Sequence, residues 1–151
     1  MSSVAYSSGN HESQRIDWAR FPLVGLGTIA AALIANLLVY SIAGLFVSYH
    51  PQFPPLATPG GTIVFTIVPA VIAVIVYALL LRFTRTPERI FTTLAVIVLV
   101  GSWIPDLTYI PTVPGASTGQ TVVLMLMHLV AAVVIVGMLT KLARPSSSDN
   151  T

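Results

Sequence analysis

The sequence predicts an all-α polytopic membrane protein: a bundle of four transmembrane helices with both termini in the cytoplasm. Residues 21–81 contain no Asp, Glu, Lys or Arg, and two more apolar stretches, 90–110 and 122–142, follow a short basic loop. Each helix cut from these stretches reaches or nearly reaches the ~20 apolar residues needed to cross ~30 Å of hydrocarbon at ~1.5 Å per residue. Composition agrees, since 8% charged residues is far below the roughly one quarter usual in soluble domains. The third observation is that all 7 basic residues fall on one side. Arg15 and Arg20 precede the first span, Arg82, Arg85 and Arg89 separate the second from the third, and Lys141 and Arg144 close the fourth. The positive-inside rule puts that side in the cytoplasm of a cell membrane, and only an even number of spans keeps it together.

The expected organisation is a leader, 1–19, a transmembrane domain, 20–143, with spans of about 21–47, 62–83, 88–110 and 119–142, and a tail, 144–151. Leader and tail are Ser-rich without apolar periodicity and read as disordered. The first run is about twice the length of a signal-peptide core and follows a leader holding Glu12 and Asp17, so it reads as a retained anchor. Trp18 stands where an indole prefers the headgroup boundary.

In the first span Gly27, Ala31 and Ala35 recur every four residues, a small-residue spacing that lets helix backbones approach closely in lipid. That face is expected to pack on another helix, of this chain or of a second copy. The loop after it holds Pro51, Pro54, Pro55, Pro59, Gly60 and Gly61 and reads as a stiff, extended excursion. Pro69 should kink the second span. Thr86-Pro87-Glu88 offers an N-cap, a proline at the first helical position and an acid at the positive end of the helix dipole, opening the third span. Pro105 should break that span's bonding near its end. Ser117-Thr118-Gly119-Gln120 matches a capping box, with Gln120 reaching back to the Ser117 N–H.

Only a few polar residues lie inside the spans, and they carry what the sequence says about activity. Counted from the basic ends, Asn36 and Thr66 lie roughly 24 Å up, Asp106 about 27 Å and His128 about 20 Å. All four helices thus place a hydrogen-bonding group in one layer in the outer half of the bilayer, with Ser41 and Ser102 as weaker members. Asp106 is the only acid between the basic loop and the tail. An ionised carboxylate in hydrocarbon is expensive, so it should face the bundle interior, reach interfacial water or take up a proton. His128 is its natural partner, and a carboxylate orienting an imidazole is the smallest unit of acid–base chemistry. The competing structural reading makes Asp106 a cap on a broken helix and His128 a satisfied interior histidine. Trp103, Met125 and Met127 near His128 read as packing that can also line a lipophile pocket.

Absences exclude much else. The Cys count is 0, so disulfides and thiolate chemistry are ruled out. There is no phosphate loop, no HExxH pair and no GxSxG elbow, and one intramembrane histidine is too few for a metal site, so neither metal nor cofactor is expected. The net charge of +2 comes from residues flanking spans, which argues against a nucleic-acid partner.

The run VLMLMHLVAAVVIVGML in the fourth span, IPDL closing the third and two outer loops without charge resemble a family of small bacterial and archaeal four-helix membrane proteins, domain of unknown function 6069. The likeness covers roughly residues 21–142. It implies the four-span fold and the pairing of Pro105-Asp106 with His128, and no activity.

Two classes of function follow. The leading one is a non-enzymatic binding or accessory protein that recognises a lipophilic molecule or another membrane chain through Asn36, Thr66, Ser102, Trp103, Asp106 and His128. The alternative is an intramembrane isomerase or cyclase acting on a lipid-like substrate, with His128 as acid–base group and Asp106 as its orienter. A channel would need a homo-oligomer, because four spans this apolar offer too few polar groups to line a pore.

Overall fold

The computed structural model describes residues 18–143. The expectations for the leader and tail therefore lie almost wholly outside the described residues. Five α-helices follow in order: α1 (Phe21–Ala43), α2 (Pro54–Ala57), α3 (Pro59–Phe83), α4 (Pro87–Thr108) and α5 (Thr118–Leu142), with a 3-10 turn at Ile110–Thr112 before α5. Four of them, α1, α3, α4 and α5, are long and apolar enough to span a membrane, the third candidate span running on through Thr112. The chain is thus a multi-pass helical membrane protein whose surroundings are lipid.

Helix α1 packs most extensively on α5 and then on α3, α4 packs on α5, and α3 meets α4 only sparingly. The bundle is therefore well closed on three sides and loose between α3 and α4. At the end carrying the basic residues, Phe21, Tyr77, Phe91 and Leu139 share one buried core. Aromatic contacts run through it, from Trp18 to Phe21 at 5.9 Å, Phe21 to Tyr77 at 6.5 Å and Tyr77 to Phe91 at 4.8 Å. They tie α1, α3 and α4 together below the loose seam.

The close-packed face of α1 is not the one the small-residue spacing suggested. Phe21, Gly25, Thr28, Ala32 and Asn36 are the buried stripe. Gly27 is exposed and a Cβ on it would meet nothing within 4 Å, whereas a Cβ on Gly25 would come within 2.9 Å of Val74 Cγ1. A spacing of three and four residues keeps a stripe on one face of a 3.6-residue helix, and this stripe also takes in two polar groups, which apolar patterning passes over. Thr28 satisfies its own hydroxyl by donating to the Val24 carbonyl at 2.8 Å.

The Pro-rich loop is also compact rather than extended. It forms α2, and Phe53 and Leu56 are completely buried against Val123, Leu124 and Met127 of α5. Burying a large apolar side chain contributes about 1.5–3 kcal/mol in a water-facing loop, which is enough to fold the segment over the bundle end. Proline is compatible with this because Pro54 and Pro59 stand in the first turns of α2 and α3. Gly61 is required there: a Cβ on it would overlap the Pro54 carbonyl oxygen. In consequence α3 begins at Pro59, three residues before the expected start of its span.

Helix α1 ends at Ala43 although apolar residues continue through Val47. Tyr49 folds back onto Tyr40, rings 4.7 Å apart, and donates its hydroxyl to the Tyr40 carbonyl at 2.7 Å. That carbonyl also accepts the Gly44 N–H at 3.0 Å, so the tyrosine adds a second bond to the last turn where the chain reverses. Burial, and then the neighbouring Tyr40, raise the Tyr49 pKa above the ordinary tyrosine value. At the start of α4, Thr86 occupies the N-cap position without a side-chain cap bond.

Candidate functional site

The polar layer expected across the spans resolves into two pairs, one on each side of the bundle. Asn36 is 4% exposed on the packed stripe of α1, and its Nδ2 donates to Thr66 Oγ1 of α3 at 3.0 Å. Its Oδ1 is buried and has no hydrogen-bond partner among the described residues. On the other side, Asp106 is 4% exposed near the end of α4, one residue after Pro105. His128 of α5 brings Nδ1 to 3.0 Å from Asp106 Oδ2. The two atoms are close without being aligned for a straight hydrogen bond, and neither has another partner among the described residues. His128 is the accessible member, its side chain 42% exposed.

Between the pairs lies a cleft of about 380 Å³, set in the loose seam between α3 and α4 and floored by α5. Residues Phe65, Ile72, Leu94 and Val98 line it and are exposed, so it opens sideways, toward lipid in a membrane. The volume falls in the lower part of the range usual for small-molecule sites. Asn36, Thr66, Ser102 and His128 line the cleft; Asp106 and Trp103 do not. Asp106 stands behind His128, and Trp103 keeps a buried Nε1 with no partner. Ser102 donates its hydroxyl to the Leu99 carbonyl of its own helix at 2.7 Å.

The cleft is graded along its length. Thr62, Thr66, Asn36, Ser102 and His128 lie toward the end covered by α2, and Val76, Phe91 and Val136 toward the basic end. From Ser102 to Phe91 a helix rises about 16 Å. No Lys, Arg, Asp or Glu lines the cleft. Among the described residues no three His, Cys, Asp or Glu side chains gather as a metal site would require.

Gln120 is the residue whose role the sequence misplaced. It does not reach the Ser117 N–H. Its own N–H donates to Ser117 Oγ at 3.3 Å, while Nε2 donates to the Gly115 carbonyl at 2.7 Å and to Ser117 Oγ at 3.2 Å. Its Oε1 accepts the His50 N–H at 3.2 Å. Gln120 is 1% exposed and fastens the loop after α1 to the start of α5. Gly115, at φ +78°, makes room for this, since a Cβ there would overlap the His50 ring. Pro55, which lines the cleft from the loop, was equally invisible as a site residue, because a proline-rich loop gives no signal of which of its apolar groups will meet the bundle.

No curated protein and no solved structure matches this chain. A family model does, over residues 15–145, which includes every spanning helix and both polar pairs. The chain, with its four apolar helices, belongs to DUF6069, a family of unknown function.

Proposed function

We propose that this protein is a non-enzymatic binding or accessory protein that takes a lipophilic small molecule from the bilayer into the cleft between α3 and α4. The observation that supports this is the sideways opening of an apolar cleft whose one end is bordered by Asn36, Thr66, Ser102 and His128. A molecule entering there leaves lipid for a site of similar apolarity, so the polar end supplies the discrimination. With the basic residues in the cytoplasm of a cell membrane, that end lies in the outer half of the bilayer.

The test is lipid analysis of protein purified in nanodiscs, wild type against Ala95→Phe, which fills the cleft wall. One lipid class enriched over the bulk and lost in the variant, at unchanged thermal stability, is the expected result. A bound composition equal to the bulk in both proteins would sink the reading.

The Asp106–His128 approach favours a second reading, an isomerase or cyclase in which Asp106 orients His128 toward a bound lipid-like substrate. In that case wild-type and His128→Ala proteins would retain molecules of equal mass but different chromatographic retention. Identical ligands in the two leave the binding reading alone.

A further inference from the structure

Several donor groups at the polar end of the cleft are engaged within the protein, while Thr66 Oγ1, which accepts from Asn36, keeps its own hydroxyl proton to give. Asn36 Nδ2 donates to Thr66, Ser102 donates to the Leu99 carbonyl, and Thr62 donates to the Pro55 carbonyl in a long 3.5 Å contact. His128 turns Nδ1 toward the Asp106 carboxyl group. A neutral imidazole with its proton on that nitrogen presents Nε2 as an acceptor. Asn36 Oδ1, buried in a cleft-wall residue, is an acceptor with no partner among the described residues. Buried acceptors left unmatched are unfavourable, and in lipid no water is at hand to match them.

Among the described residues the wall therefore offers unmatched acceptors, the Thr66 hydroxyl and no Lys or Arg. An anionic headgroup would find nothing to neutralise it, because Arg20, Arg82, Arg85, Arg89 and Lys141 all stand at the opposite end of the helices. A molecule bearing only acceptors could take the Thr66 hydroxyl proton but would leave Asn36 Oδ1 unmatched. We propose that the cleft takes an uncharged lipid alcohol, its hydroxyl donating at the Asn36/His128 end and its chain running along α4 toward Phe91. This deepens the binding reading above and rests on it.

The full-length protein in nanodiscs is incubated separately with oleyl alcohol, methyl oleate and sodium oleate, which share a chain and differ in the head, and the amount retained per protein is measured by mass spectrometry. The expected order is oleyl alcohol about tenfold above methyl oleate, the value of one hydrogen bond to an otherwise unmatched buried acceptor, with oleate at background. Asn36→Leu should reduce that preference toward parity while the ester is still retained. If Asn36→Leu does not fold, the wild-type ranking still decides.

Equal retention of alcohol and ester, or a preference for oleate, each abolished by Ala95→Phe, overturns the head-group assignment and leaves the lipid-binding reading standing. Retention of none of the three above the level of Ala95→Phe removes the binding reading and this inference with it.

Discussion

His128 Nδ1 stands 3.0 Å from Asp106 Oδ2, joining α5 to α4 beside the cleft. One partner is 4% exposed and the other lines the opening, so a buried carboxyl group sets how an accessible imidazole is held. Removing either partner strands the other in a poorly solvated place. Asp106→Asn and His128→Ala are each expected to destabilise the protein. The double variant should lose less than the sum, with a coupling of ~0.5–3 kcal/mol in denaturation measurements in detergent. Additive losses would mean the contact carries no energy.

The packed stripe of α1 gives a contrast within one helix. Ala32 is completely buried, so Ala32→Leu overpacks the seam with α3 and α5 and should cost ~1–3 kcal/mol or more. Gly27→Leu, on the exposed face, should leave thermal stability the same or slightly higher, since leucine favours helix over glycine. The reverse order would restore the Gly27/Ala31/Ala35 face as the contact.

Gln120→Leu keeps the volume and removes the bonds that fasten the loop. The His50 N–H and the Gly115 carbonyl lose their partner, at a cost of ~1–3 kcal/mol. Hydrogen exchange at the His50 amide should accelerate while amides in the middle of α3 keep their protection. Unchanged exchange at His50 would show that Phe53 and Leu56 hold the loop unaided.

Orientation is tested with engineered cysteines in intact cells. Gln52→Cys, exposed in the loop after α1, should react with a membrane-impermeant maleimide, and Thr86→Cys, exposed in the basic loop, should not until the membrane is permeabilised. Labelling of Thr86→Cys in intact cells reverses the assignment of sides.

What the sequence determined by itself is the number and approximate place of the spanning helices. Hydrocarbon accepts a backbone only with its hydrogen bonds closed, so an apolar run of about 20 residues already implies a helix, whatever it packs against. The polar residues worth examining were legible for the same reason, because Asn36, Asp106 and His128 are expensive in lipid and few. Which of them meet was left to tertiary structure. Along a span nearly every residue is apolar, so the usual contrast between a buried and an exposed face is missing, and the stripe through Gly25, Thr28 and Ala32 could be found only from the neighbours it touches. The burial of Phe53 and Leu56 and the bond from the His50 N–H to Gln120 likewise depend on segments distant in sequence. The cleft is decided last of all, since it exists where α3 and α4 fail to close, and a gap between two helices is a property of neither.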